Sequence, residues 1–247
     1  MLRPDIKPTN KNFSSGPCAK RPGWNIEIFK KATLGRSHRA EVSKNKLLKI
    51  IKLTRELLRL PEDYILGIVP GSDTGAVEMA MWNILGPNPV TSLVWDSFGK
   101  DWSKDLSKEL KFTNLNVISA DYGKLPDLSS IDFNSDLIFN WNGTTSGVCI
   151  PDTDWIPTDR KGITICDATS AAFAMEIDWT KIDVSTFSWQ KCLGGEAGHG
   201  MLILSPKAVN RINTFIPLWP IPKLFQLRKE NKLNQDIFNG ATINTPS

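Results

Sequence analysis

Histidine and cysteine are scarce in this sequence of 247 residues: it has His38 and His199, and Cys18, Cys149, Cys166 and Cys192, with no Cys-x-x-Cys pair among them. Structural zinc centres need closely spaced sets of these residues, so no metal is expected. An uninterrupted apolar run of about 18 residues is lacking, and so is a basic leader followed by an apolar stretch. No membrane partner is expected, and a reducing cytoplasm is the simplest compartment for the scattered thiols. Nor is charge of one sign gathered into a block: 30 Lys and Arg stand against 26 Asp and Glu, a net +4 spread along the chain. No nucleic-acid partner is implied. Repeats and low-complexity tracts are missing too. What remains, 40% hydrophobic and 23% charged residues, is the composition of an ordinary folded domain.

Regular structure is sparse at the start. Residues 1–40, with Pro4, Pro8, Ser14, Ser15, Gly16, Pro17, Pro22 and Gly23, read as an irregular arm. Leu47, Leu48, Ile50, Ile51, Leu57 and Leu58 then recur at helical spacing, their intervening lysines and arginines forming a solvated face, and Pro61 marks the stop. Beyond it, short apolar runs at 64–69, 91–95, 115–120, 137–141, 163–167, 185–189 and 201–204 predict strands. Helical patterns at 74–85 and 98–110, and from Pro206 onward, separate some of them, while between 120 and 160 the helical signal is weak. This alternation predicts an α/β fold: a mostly parallel central sheet with helices on both faces.

In such a sheet ligands bind beyond the carboxyl ends of the strands, and polar residues collect there in this sequence. Gly71-Ser72-Asp73-Thr74-Gly75 lies between a strand and a helix, where backbone N–H groups and hydroxyls could hold a phosphate; a plain helix cap explains it equally well. The absence of Gly-Lys-Ser/Thr speaks against a nucleoside-triphosphate loop. Asp167 ends an apolar run, and a carboxylate there needs a cation or N–H donors, unless it merely caps the segment that follows. Lys191 follows the strand 185–189 and precedes Gly194-Gly195, a partly desolvated position suited to Schiff-base chemistry. A strand-end acid followed by a strand-end lysine is the order that pyridoxal phosphate requires, since its ring nitrogen needs an acid and its aldehyde an amine. Trp102 could stack on a flat cofactor or simply belong to the core. His38 and Arg39, before the first long helix, suit an anionic oxygen group or form an exposed basic turn.

Together, the segments 12–17, 37–39, 70–80, 141–148, 165–171, 187–191 and 243–247 resemble the phosphoserine aminotransferases, a family of the fold-type-I pyridoxal-phosphate superfamily, over essentially the whole chain. The resemblance implies that Lys191 carries the cofactor and shuttles a proton, that Asp167 pairs with its ring nitrogen, and that Trp102 stacks on its face. It assigns Asp73 and Thr74 to the cofactor phosphate, with Gln190 and Thr144 completing the pocket. Asn244 and Thr245 would reach the phosphate in a neighbouring subunit, which implies a homodimer with shared sites, and His38 and Arg39 would hold the anionic substrate. The implied reaction moves an amino group between glutamate and 3-phosphohydroxypyruvate, giving 2-oxoglutarate and phosphoserine in serine biosynthesis; some members also serve pyridoxine biosynthesis. Family members continue beyond the position of Ser247 into a smaller α/β domain. The expected division is therefore an arm at 1–40 and a cofactor-binding large domain at 41–247, with the small domain absent and the chain a fragment. Two alternatives stand beside this reading: another fold-type-I aminotransferase, or a cofactor-binding module without turnover.

Overall fold

The computed structural model describes residues 22–239 together with Ile6. The motif segments 12–17 and 243–247, with Asn244 and Thr245, lie outside the described residues. In chain order the principal elements are α1 (Glu41–Leu57), β1 (Ile65–Pro70), α2 (Ser72–Ile84), β2 (Val90–Val94), α3 (Ser97–Lys104), β3 (Leu115–Ser119), β4 (Asp136–Asn140), β5 (Thr164–Asp167), β6 (Val184–Ser188), β7 (His199–Leu204) and α4 (Pro206–Thr214). A two-stranded ribbon, β8 (Arg228–Lys229) and β9 (Lys232–Leu233), follows.

The strands form one seven-stranded sheet in the order β1-β7-β6-β5-β4-β2-β3. It is mostly parallel, as the alternation predicts; β7 alone runs antiparallel to both its neighbours, β1 and β6. The register aligns Asn140 of β4 with Asp167 of β5, and Asp167 with Thr186 of β6, so three polar side chains stand abreast at the carboxyl end of the sheet.

Side chains alternate between the two faces of the sheet. Ile138, Ile165 and Leu202 point to one, where they pack under α2 (Met79, Ala80), Leu106 just past the end of α3, and α4 (Ile212). Leu66, Ile68, Phe187 and Met201 point to the other, under Ile51 of α1. The rest of that second face is covered without α-helix. Ile131, Ile150, Ile156, Ala171 and Ile182, from the connections between β3 and β6, cover Leu93, Phe139 and Cys166. The weak helical signal at 120–160 is thus a real absence of helix, and tight turns with short 3-10 segments such as Leu128–Ser130 take its place.

Helix boundaries follow capping chemistry. Ser205 accepts from Ala208 N–H at 3.1 Å, with Pro206 in the first turn, which starts α4 where the sequence predicts. Asp96 accepts from Gly99 N–H at 3.0 Å and starts α3. The predicted single helix over 98–110 instead changes pitch: α3 ends at Lys104 and one π-helical stretch, Asp105–Glu109, completes it. No helix among the described residues is long and apolar enough to cross a membrane.

Candidate active site

The site begins where β1 turns into α2. Gly71 (φ +84°) and Ser72 (φ +61°) both lie in the left-handed region. Glycine adopts it freely, whereas for a serine it stores about 1–3 kcal/mol of strain, a burden found where structure serves a site. The double left-handed turn lets the helix start directly on the strand. The N–H groups of Ser72, Asp73 and Thr74 therefore have no acceptor within the helix, at its positive end. Gly75 N–H bonds back to Gly71 O at 2.8 Å, and a Cβ on Gly75 would sit 2.3 Å from Pro70 O, so only glycine fits this close return. Ser72 Oγ lies 3.1 Å from Ser188 Oγ, which in turn donates to Gln190 Oε1, tying the turn to the end of β6.

Asp167 closes β5 with its carboxylate buried, 9% exposed. Asn140 Nδ2 donates to its Oδ2 at 3.1 Å and Thr169 N–H to its Oδ1 at 3.0 Å, so each oxygen has one donor and the group is fixed in direction. The Asp73 side chain does not face outward with the N–H groups of its turn. It points inward against Asp167, and burial together with that neighbouring carboxylate pushes it well above the usual carboxylate range. Burial and the same two carboxylates likewise push the Cys166 thiol up.

Lys191 and Gln190 follow β6, Asn142 and Thr144 follow β4, and Phe98 and Trp102 come from α3; these converge with Ser72, Asp73, Thr74, Asp167, Thr169 and Ser170 on a cleft of about 90 Å³. Trp102 is 4% exposed, and its Nε1–H is buried without a hydrogen-bond partner. The structure thus brings together the sequence candidates Asp73, Thr74, Trp102, Thr144, Asp167, Gln190 and Lys191. His38 and Arg39 sit on the turn before α1 and are not among the lining residues. Asn140, Phe98, Thr169 and Ser170 were given no role by the sequence. Asn140 is hidden there inside an apolar strand, although an amide in such a run is itself a signal, since a buried amide needs partners. A larger cleft, about 810 Å³, lies between the end of α1 and residues 173–179; its lining includes Asp152, Asp154, Glu176 and Asp178 and no lysine.

An amine and a carboxylate that accepts two hydrogen bonds share this cleft with an indole and a helix start that attracts anions, a set that suits a flat ligand with an electrophilic carbon, a basic ring atom and a phosphate. Similarity to known proteins narrows this. No protein-family model matches the chain. The phosphoserine aminotransferase of Methanosarcina barkeri is 58% identical over 246 residues, covering 100% of this chain and 66% of that relative. The chain belongs to the phosphoserine aminotransferase family. It spans just under two thirds of the relative's length. Among solved structures, the phosphoserine aminotransferase of Cytophaga hutchinsonii superposes with a TM-score of 0.63 at 26% identity, over 75% of this chain and 52% of that one. The pyridoxal-phosphate-bound phosphoserine aminotransferase of Trichomonas vaginalis gives 0.66 at 19% identity, over 87% and 62%, and shares the fold. The seven-stranded, mostly parallel sheet is thus that of the family's large domain.

Proposed function

We propose that this chain builds the cofactor site of a phosphoserine aminotransferase, which transfers the amino group of glutamate to 3-phosphohydroxypyruvate through pyridoxal phosphate. The observation that carries the reading is the convergence of Lys191, Asp167 and the start of α2 on one cleft. The residues fit the cofactor: the helix start offers unpaired N–H groups, Trp102 Nε1 is a buried polar atom without a partner on a residue that lines the cleft, and Asp167 is the acceptor for a ring N–H. When bound, pyridoxal phosphate supplies an electron sink for a deprotonated substrate carbon. The chain's own part is to hold and protonate. Ser72, Asp73 and Thr74 N–H groups and the Thr74 hydroxyl receive the phosphate, Gln190 and Thr144 close the pocket edge, and Asp167 holds the proton on the ring nitrogen. Trp102 keeps water from one ring face, and the Lys191 amine, once displaced, moves the proton at the substrate carbon. His38 and Arg39 are the candidates for the substrate's anionic groups. Asn244 and Thr245 are the candidates for a neighbouring subunit's phosphate, within a cytoplasmic homodimer. The reaction would serve serine biosynthesis, and pyridoxine biosynthesis, which some members of the family also serve, is a second candidate role.

The test is the absorbance of the protein with added pyridoxal phosphate, before and after glutamate, followed by amino-transfer assays with phosphoserine, serine and alanine. A lysine-bound band that shifts with glutamate, and transfer from phosphoserine above the other two amines, is expected. Lys191→Ala should lose the borohydride-reducible link and reduce turnover by at least about a thousandfold, as removal of a covalent catalyst does. Normal turnover in that variant would sink the reading, and preference for serine or alanine would move the chain to a different aminotransferase activity. A band indifferent to glutamate would indicate a cofactor-binding module without turnover.

A further inference from the structure

Asp73 is a buried carboxyl with no part in the roles above beyond its backbone N–H. It is 6% exposed, and its Oδ1 is buried without a hydrogen-bond partner. Its carboxyl meets that of Asp167, and both line the cleft with Lys191. The hydroxyls of Thr186, from β6, and Thr169, from the loop after β5, are close enough to ease the burial of charge, but neither closes a hydrogen bond on Oδ1. The other titratable groups around it are Cys166 of β5 and Lys191.

Two carboxyls in contact in a buried site do not both ionise; one keeps a proton and donates it to the other. The donor count decides which. Asp167 already receives N–H bonds from Asn140 and Thr169, which favour negative charge on it. Asp73 accepts no N–H, and the neutral hydroxyls of Thr186 and Thr169 near it are weaker donors. We propose that Asp73 is a positioning residue that stays protonated and donates its O–H to Asp167, so that the pair carries one negative charge, held at a fixed angle toward the ring-nitrogen position. The inference rests on the reading of Asp167 as the ring-nitrogen partner, but the proton on Asp73 can be tested without cofactor.

The first measurement is infrared spectroscopy of the cofactor-free chain in D2O. A carbonyl stretch of a protonated carboxylic acid is expected to persist above about pH 5, where exposed carboxyls are ionised. It should vanish in Asp73→Asn. Absence of the band in the wild type, or no loss of its intensity in Asp73→Asn, overturns the proposal. The second measurement is cofactor titration followed by absorbance. Asn keeps an N–H donor toward Asp167, whereas Leu of similar size does not. Asp73→Leu should weaken binding about tenfold, the scale of one hydrogen bond to a charged group, and Asp73→Asn should recover most of that loss. Equal weakening by both variants assigns Asp73 a space-filling role and overturns the proposal. If the wild type shows the infrared band yet forms no lysine-linked cofactor band, the site reading fails while the proton on Asp73 stands.

Discussion

The direction of a single carboxylate depends here on an amide four apolar neighbours conceal. Asn140 sits inside the run 137–141 and reads as sheet interior, yet the parallel register sets it beside Asp167, where its Nδ2 donates at 3.1 Å. Asn140→Ala leaves Asp167 with Thr169 N–H as its fixed backbone donor and removes a charge-assisted bond of about 1.5–3 kcal/mol. On the proposed function, cofactor affinity should fall about tenfold or more, read by absorbance titration, with little change in the helix content seen by circular dichroism. Unchanged affinity would show that Asp167 needs no second donor. Lys191, Asp167 and Thr74 were legible in the sequence because strand ends of an α/β sheet are where polar residues have to be explained. The inward turn of the Asp73 side chain was not. It follows from the left-handed Gly71 and Ser72, and a serine gives no warning of a positive φ.

At the scale of elements, α2 is held to the sheet by two contacts that admit no side chain. A Cβ on Gly75 would lie 2.3 Å from Pro70 O, and one on Gly200, in β7, would lie 2.2 Å from Ser72 O. Backbone must move in either case, since the obstructing atoms are carbonyls. Gly75→Ala and Gly200→Ala should each lower stability by about 1–3 kcal/mol, the usual range for overpacking, seen as an earlier midpoint in urea. Both should also weaken cofactor binding, because the N–H groups at the helix start move with the backbone. Gly198→Ala is the control: nothing lies within 4 Å of its added Cβ, so the midpoint should stay within about 0.5 kcal/mol of wild type. If Gly75→Ala and the control behave alike, the helix start is looser than described. Alternating apolar runs and helical spacing identified these elements, because burial on both faces forces continuous apolar strands. They could not show that β7 runs antiparallel, since a buried strand reads the same in both directions. They also could not show that the face over β4 and β5 is closed by turns, whose packing depends on contacts distant in sequence.

For the molecule as a whole, buried titratable groups couple the fold to pH in opposed directions, so differences between variants carry more information than one curve. Burial pushes His199 down, which adds stability above the unfolded histidine value and loses it as pH falls. Tyr64 donates its hydroxyl to Trp179 O at 2.8 Å, and burial, with Asp183 adding to it, pushes it up to about 12. That contribution is lost as pH rises from about 10, the ordinary tyrosine value, toward the folded one, and Tyr64→Phe should remove its share of the alkaline slope, leaving that of the raised Cys166 thiol. Asp73 acts across the middle of the range. Its folded carboxyl holds a proton that the unfolded chain releases above about pH 4. The folded state therefore binds more protons there, and stability declines as pH rises through that window until folded Asp73 itself ionises. Asn cannot ionise, so the stability of Asp73→Asn relative to wild type should climb as pH rises above about 4, whatever constant offset the substitution adds. Urea midpoints of the two proteins at a series of pH values give that difference directly, with the unchanged contributions of His199 and Tyr64 cancelling. A difference that stays flat would mean that Asp73 ionises in the folded protein as it does in water, and that two adjacent buried charges are tolerated beside Lys191.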